Sequence, residues 1–211
     1  MNKAKLTKEI SKRLNQEYPD AKCHLEFNSP FELLISTVLA AQCTDVRVNA
    51  VMVPLYKTKY KKPKDILNDG LDNFRNNVKS INFFNNKALA IFSICEDLKS
   101  KFKSNVPGSM EDLTSLKGVG RKSANVILGN CFGRKDVIIV DTHLSRVTSR
   151  LGLIENDNPE KIEFELKEII PAENQFDFSL RIGEHGRQIC KAKKPDCVNC
   201  FLNDICPSKI I

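Results

Sequence analysis

The sequence predicts an all-α fold, and three observations lead to this prediction. Apolar residues recur at helical spacing, several segments begin with helix-capping residues, and the alternation typical of strands is nearly absent. The one β-like run, Val137 to Val140, is too short to build a sheet around. We therefore expect about ten short helices and no sheet.

The first strong helix start lies at Ser29. Pro30 suits the first helical position, and Glu32 would complete a capping box with Ser29. The run that follows, LLISTVLAAQC, is apolar on nearly every side and predicts a buried central helix. Ser109 and Asn158 mark two further starts of the same kind.

Two amphipathic segments predict further helices. The stretch after Asn158 has one apolar side, formed by Ile162, Leu166, Ile169 and Ile170. The stretch from Asn85 to Leu98 has apolar residues at helical spacing, namely Leu89, Phe92 and Cys95. A polar turn at Gly133 to Asp136 follows a helix and marks a plausible break between domains.

The charge balance points to a polyanionic partner. Lys and Arg total 33 against 26 Asp and Glu, which gives a net charge of +7. Nucleic acid or a membrane surface would suit this excess. The longest apolar run, Leu33 to Ala41, is far too short to span a bilayer, and the N-terminus lacks the apolar stretch of a signal peptide. We therefore expect a cytoplasmic protein that does not enter a membrane.

Eight cysteines fall into two groups. Four are isolated among apolar residues and are expected to be small buried hydrophobes: Cys23, Cys43, Cys95 and Cys131. The other four follow a C-x6-C-x2-C-x5-C pattern: Cys190, Cys197, Cys200 and Cys206. Four thiolates within so short a segment can hold an iron–sulfur cluster or a zinc ion. Zinc ribbons usually offer two C-x2-C knuckles, and only one is present, so the spacing favours the cluster.

The six-residue insert of this pattern is basic. Lys191, Lys193 and Lys194 would form a rigid finger for DNA phosphates if a cluster fixes the loop. A solvated lysine loop is the alternative interpretation.

A Gly-x-Gly turn, formed by Gly118, Val119 and Gly120, separates two helical patterns. Its glycines allow a close backbone approach, and the N–H groups at the start of the next helix can bind an anion such as a DNA phosphate. A tight interhelical turn is the alternative. Arg121 and Lys122 follow at once and favour nucleic acid.

Asp141 follows the apolar run and precedes a helical pattern, so it can be an N-cap. A functional role depends on Lys122. If both side chains share a cleft, they form an amine and carboxylate pair suited to covalent chemistry at a sugar carbon.

The segments LKGVGRKSA and VDTH and the four-cysteine tail, in this order and separation, resemble the endonuclease III family of helix-hairpin-helix DNA glycosylases with lyase activity. The N-terminal segment SPFELLISTVLAAQCTD is also similar to the family, so the resemblance covers essentially the whole chain. It implies two helical domains with the DNA in the cleft between them. Residues 23–133 would form a six-helix barrel with the hairpin, and residues 1–22 and 134–211 would form the cluster domain.

The resemblance also implies roles for individual residues. Lys122 matches the nucleophile, and Asp141 matches the catalytic carboxylate. Gln42 would fill the hole left by an extruded nucleotide, with Phe83 as a wedge beside it. The hairpin Gly118 to Gly120 would bind phosphate, and the ligands of a [4Fe-4S] cluster would be Cys190, Cys197, Cys200 and Cys206. The implied partner is duplex DNA with damaged pyrimidines or abasic sites, bound by a monomer.

Four positions depart from the usual family pattern. Lys117 stands where proline is common, Phe83 replaces a typical leucine, and Ala40 stands where serine is often found. Asn82 stands where glycine is common, and asparagine tolerates a left-handed backbone. These departures affect the expected substrate preference and rate rather than the reaction class.

Three alternative functions come from the same resemblance or from the site itself. An adenine-specific mismatch glycosylase shares the hairpin and cluster, but that family lacks a lysine at position 122 and carries a further C-terminal domain. A non-catalytic helix-hairpin-helix DNA-binding module would leave the pairing of Lys122 and Asp141 without a role. A zinc-stabilised structural protein is the third option.

Overall fold

Helices form all of the regular secondary structure in residues 2–210, which are the residues that this computed structural model describes. The all-α prediction is thus confirmed. The eleven α-helices in this range are α1 (Lys3–Glu17), α2 (Pro30–Ala40), α3 (Asp45–Thr58), α4 (Pro63–Asp69), α5 (Leu71–Asn77), α6 (Phe84–Lys101), α7 (Met110–Ser115), α8 (Arg121–Phe132), α9 (Thr142–Arg150), α10 (Pro159–Ile169) and α11 (Gln175–Gln188). Two short 3-10 helices span Ala172–Asn174 and Asn203–Ile205.

The chain divides into two compact units. The first, Cys23–Gly133, is called the hairpin unit here because it contains the Gly-x-Gly turn. The second combines the chain up to Lys22 with the chain from Arg134 onward, and is called the cysteine unit. Met1 and Ile211, which the domain prediction includes, lie outside the described residues.

The predicted central helix is α2, and eight of its residues are buried, as expected. Ser29 caps it by accepting a hydrogen bond from the Glu32 N–H at 3.2 Å. The reciprocal half of the predicted capping box is wrong, because the Glu32 carboxylate accepts from the Asn28 N–H at 2.7 Å instead. The helix ends at Ala40, earlier than the apolar run suggested, and Gln42 follows with a left-handed backbone.

The buried face of α6 differs from the predicted one. Leu89 is 42% exposed, whereas the neighbouring Ala88 and Ile91 are fully buried. The buried face also includes the side chain of Lys87, a residue type that apolar patterning excludes. Of the three residues predicted to form the buried face, Cys95 is buried, whereas Leu89 and Phe92 are not. The buried face therefore lies about one residue away from the two positions that were predicted wrongly.

The core of the cysteine unit is formed where α1, α9, α10 and α11 pack together. Asn158 caps α10 as predicted, with the Glu160 N–H at 3.0 Å, and the apolar side of this helix is buried at Ile162 and Leu166. The run Val137 to Val140 is not a strand. It passes through the core as an extended segment, and the Ser179 hydroxyl accepts a hydrogen bond from the Ile139 N–H at 3.0 Å.

The four isolated cysteines have different environments. Cys95 is fully buried, as predicted, and burial raises the pKa of its thiol to about 12. Cys23, Cys43 and Cys131 are only half-buried, so the prediction is wrong for these three. Between residues 2 and 210, no helix has both the length and the apolar character required to cross a membrane.

Candidate functional site

The Gly-x-Gly turn connects α7 to α8 as the sequence predicts. Ser109 caps α7 by accepting a hydrogen bond from the Asp112 N–H at 3.0 Å. The helix ends at Ser115, and the next residue, Leu116, is buried. Gly118 has a φ of +80°, a conformation that favours glycine. A Cβ at this position would lie 3.5 Å from the Ala90 side chain of α6. Val119 is buried, so the turn is anchored on its own unit while its two glycines are exposed.

The start of α8 has the features of an anion site. The helix begins at Arg121, with Gly120 as its N-cap. Glycine offers no capping side chain, and the first turn contains no acidic residue. The N–H groups of this turn and the positive end of the helix dipole are therefore suited to a DNA phosphate.

Lys122 lies in this first turn and is exposed. Within residues 2–210, no hydrogen bond or ion pair engages its amine. Some other lysines are paired with a carboxylate, as Lys59 is with Asp69 at 2.8 Å. The amine of Lys122 is thus available to a bound molecule.

Gln42 and Phe83 lie in two neighbouring loops of the hairpin unit. Both are exposed, and both have a left-handed backbone, with φ values of 54° and 58°. The Asn82 side-chain amide donates a hydrogen bond to the Gln42 carbonyl at 3.0 Å. Asn82 itself is not left-handed, so this position does not use the tolerance of asparagine for that conformation.

Asp141 caps α9 in the cysteine unit, as predicted. Its Oδ1 accepts a hydrogen bond from the Leu144 N–H at 2.8 Å. Its Oδ2 lies 4.0 Å from the guanidinium of Arg187 on α11, so one oxygen is not used by the cap. Lys122 belongs to the hairpin unit and Asp141 to the cysteine unit, and their pairing in one cleft stays a prediction.

The four clustered cysteines line one cavity of about 40 Å³. Burial, together with the charges of the other clustered thiols, raises the pKa of the Cys200 thiol. Cys206 behaves in the same way. Among residues 2–210, no three His, Cys, Asp or Glu side chains are grouped as around a single metal ion.

The donor set of this cavity fits an iron–sulfur cluster. Four soft sulfur ligands line one cavity. As thiolates they would repel one another, and bound iron would neutralise their negative charge. The cavity wall is otherwise largely apolar, with Val147, Leu151 and Leu202 among its members.

Two arginines that the sequence analysis did not single out hold the start of the basic loop. Arg146 donates hydrogen bonds to the carbonyls of Cys190 and Gly186 at 3.0 and 2.8 Å. Arg150 donates to the Cys190 sulfur at 3.3 Å and to the Lys191 carbonyl at 2.8 Å. The sequence feature that could have identified these arginines is their four-residue spacing, which places both on one side of α9.

The three lysines of the basic loop are all exposed, as a phosphate-binding finger requires. The base of the loop is closed by a hydrogen bond from the Asp196 N–H to the Ile189 carbonyl at 3.1 Å. Lys194 has a left-handed backbone with a φ of 53°. This loop and Asp141 are thus both attached to α9, one near each end of the helix.

Comparison with known families places the chain in a functional class. Residues 35–172 match a family model described as "HhH-GPD superfamily base excision DNA repair protein". Residues 190–206 match a second one, described as "Iron-sulfur binding domain of endonuclease III". The fold, the hairpin and the cysteine segment therefore define a base excision DNA repair protein with an iron–sulfur cluster.

Individual relatives narrow this class. Endonuclease III of Haemophilus influenzae is 41% identical over 99% of this chain and 98% of that protein. A solved non-covalent complex of endonuclease III with DNA has a TM-score of 0.93 and 38% identity, covering 99% of this chain and 97% of that one. A trapped covalent intermediate of endonuclease III with DNA has the same score and identity, over 99% and 98% of the two chains. The chain belongs to the endonuclease III family.

Membership confirms several predictions at the level of the family. The chain is a DNA glycosylase with abasic-site lyase activity that acts in base excision repair and binds DNA. The predicted iron–sulfur cluster is confirmed for the segment 190–206.

Proposed function

We propose that the protein removes oxidised pyrimidines from duplex DNA and cleaves the strand 3′ to the resulting abasic site, with Lys122 as the nucleophile. The observation that carries this proposal is the exposed amine of Lys122 in the uncapped first turn of α8, with no partner among residues 2–210. The amine is thus free to reach a sugar carbon, as a nucleophile must be, and its place in an anion-binding first turn distinguishes it from other exposed lysines.

The reaction begins with a damaged nucleotide flipped out of the duplex. The unprotonated Lys122 amine attacks C1′ of the deoxyribose, the C1′–N bond breaks, and the electron pair leaves with the base. The nitrogen gives up one proton to the departing base, the C1′–O4′ bond then breaks, O4′ takes up a proton, and a protonated Schiff base forms between Lys122 and C1′. The Schiff base acidifies the C2′ hydrogens, and loss of one proton expels the 3′ phosphate by β-elimination. Water then hydrolyses the imine and frees the enzyme.

Asp141 would stabilise the cationic sugar and assist proton transfer. Its Oδ1 is held by the Leu144 N–H, which fixes the carboxylate at the start of α9. Its Oδ2 lies 4.0 Å from the guanidinium of Arg187 and keeps lone pairs for the substrate. Arg187 would keep the carboxylate oriented.

DNA phosphates would bind at two places. The hairpin residues Gly118, Val119 and Gly120, with Arg121, would bind the backbone near the lesion, and the exposed lysines 191, 193 and 194 would bind it elsewhere. A [4Fe-4S] cluster bound by the four cysteines would supply a structural anchor for the segment 190–206 rather than a reacting group. The two units would then correspond to the two predicted domains, with the DNA cleft between them. We propose that the protein acts as a cytoplasmic monomer, associated with the nucleoid through DNA.

Borohydride trapping on abasic DNA tests the assignment of Lys122. Reduction converts the Schiff base into a stable protein–DNA cross-link. We expect Lys122→Gln to abolish the cross-link and to leave binding of damaged DNA largely intact, because glutamine keeps length and polarity without a nucleophilic amine.

Lys117→Gln is the matched control, because Lys117 is an exposed lysine of the same hairpin. This variant loses the same charge and should still be trapped. Cross-linking that survives in Lys122→Gln would overturn the assignment. A wild-type protein that binds abasic DNA without any cross-link would favour the non-catalytic DNA-binding module.

A further inference from the structure

The two loops that carry Gln42 and Phe83 are joined by side chains that the proposed reaction does not use. The Asn82 side-chain amide donates to the Gln42 carbonyl at 3.0 Å. Arg47, in the first turn of α3, donates to the Ser80 carbonyl at 3.0 Å. The first bond crosses from one loop to the other, and the second joins the Phe83 loop to the helix that follows the Gln42 loop, so the two loops are held together.

Each loop has an unusual backbone at its tip. Gln42 and Phe83 are both left-handed, a conformation that is uncommon for residues other than glycine. Phe83 is also 62% exposed, although it is a large apolar residue. Strained and exposed residues persist only where the surrounding structure holds them, and they concentrate at functional sites.

The base of both loops is held by a buried lysine. Lys87 is only 8% exposed, and its ammonium donates to the Leu39 carbonyl in the last turn of α2 at 2.8 Å. Its backbone N–H donates to the Phe83 carbonyl at 3.2 Å. A cation is favourable at the C-terminal end of a helix, where carbonyl groups lack partners. Lys87 thus connects the end of α2, which leads to Gln42, with the start of α6, which follows Phe83.

We propose that Asn82 is a positioning residue that holds Gln42 and Phe83 as one preassembled probe, so that both enter the duplex together. This inference rests on the proposed function, in which these two side chains occupy the space left by the extruded nucleotide. A glycine at this position could not make this bond, because it has no side chain. A preassembled probe loses less conformational freedom when it enters DNA than two independent loops would.

The test uses Asn82→Gly, which removes the bond and is tolerated by any backbone conformation. A duplex with an abasic site and the fluorescent base 2-aminopurine opposite it reports insertion, because this base brightens when it unstacks. We expect the rate of the fluorescence rise and single-turnover cleavage to fall by about fivefold, the size expected for one neutral hydrogen bond. Thermal unfolding should change little, because Asn82 is exposed.

Asn105→Gly is the matched control. It makes the same chemical change in a loop just beyond the other end of α6, about 27 Å away by the length of the helix. Its amide is bonded only locally, to the Lys103 carbonyl at 3.3 Å. This variant should behave as the wild type in both assays.

A double-mutant cycle with Gln42→Ala decides whether Asn82 acts through Gln42. If it does, Asn82→Gly should change the rates less than about twofold in the Gln42→Ala background. Independent effects that multiply in the double variant, or an unchanged rate in Asn82→Gly alone, would overturn the proposal. The wild-type cross-link with borohydride keeps this outcome separate from a failure of the proposed function.

Discussion

The hairpin and the cysteine segment are both proposed to bind DNA phosphates, yet the two regions are held in different ways. The turn between α7 and α8 lies between helices and is anchored by the buried side chains of Leu116 and Val119. Between residues 190 and 206 there is one 3-10 helix of three residues, and Leu202 is the one core side chain.

The cysteine segment therefore depends on polar and metal bonds. Arg146 and Arg150 hold carbonyls at its start, and the Asn203 side chain donates to the Cys197 carbonyl at 2.6 Å within it. Apolar burial tolerates small changes at many positions, whereas a segment held by a few specific bonds fails when one of them is lost. The hairpin should thus survive changes that disorder the basic loop.

The largest effect is expected for Cys200→Ser. Serine is a poor substitute for a thiolate toward iron, so the variant should lose its visible chromophore and its iron, and its affinity for a non-cleavable abasic duplex should fall on the order of tenfold. Residual folded protein should still be trapped at high concentration, because Lys122 belongs to the hairpin unit. Iron content, absorbance and affinity are measured on one preparation.

Cys23→Ser is the control for this change, since Cys23 belongs to the hairpin unit. It should keep its iron. Full affinity in a folded Cys200→Ser protein without iron would break the link between the cluster and the basic loop, and wild-type protein that binds zinc and no iron would contradict the cluster itself.

Asp141→Asn should slow turnover by about 100-fold or more while binding changes little, because the negative charge that faces the cationic sugar is lost. Asparagine still caps α9, so stability should be retained. Asp141→Ala separates the two roles, since it should also lower the free energy of unfolding by about 1 kcal/mol through loss of the cap. Unchanged turnover in Asp141→Asn would mean that the residue is only a cap.

Arg150→Met weakens the attachment of the basic loop to α9 without removing a cluster ligand. It deletes the bonds to the Cys190 sulfur and to the carbonyls of Lys191 and Ala192. We expect DNA affinity to fall about fivefold as the loop loses order, with iron retained. Arg134→Met, which removes an exposed pair with Asp136, is the control. Equal affinities of the two variants would show that the cluster alone fixes the loop.

The smallest effect is expected for single lysines of the loop. Lys193→Ala should reduce the slope of log affinity against log salt by about 0.9 if this lysine neutralises one phosphate. The loss should be the same for damaged and undamaged sequences, because phosphates carry no base identity. A loss confined to one lesion would indicate a base contact instead.

Much of the helical framework could be predicted from short patterns. Ser29, Ser109, Asp141 and Asn158 each cap the helix that the sequence assigned to them, because a cap depends on neighbours three residues away. The buried face of α6 was misplaced because Lys87 is buried there, bonded to a carbonyl 48 residues away in the chain. No local pattern contains such a partner.

The residues of the candidate site also fall into those that local sequence patterns reveal and those that depend on distant partners. The Gly-x-Gly turn, Lys122 and the four cysteines are visible in the sequence because each motif is continuous. The bonds made by Arg150, Arg187 and Asn82 could not be predicted, since their partners lie 40 or more residues away in the chain. The sequence names the groups that react, whereas the fold is needed to find those that hold them in place.

The proposed mechanism depends on Lys122 being the nucleophile, and this can be tested directly by mapping the residue that becomes cross-linked to DNA. The wild-type protein is trapped with borohydride on abasic DNA, digested with nuclease and protease, and the modified peptide is sequenced by mass spectrometry. We expect the reduced sugar remnant to be attached to the side-chain nitrogen of Lys122. Attachment to Lys117, to the lysines of the basic loop or to the N-terminal amine would contradict it.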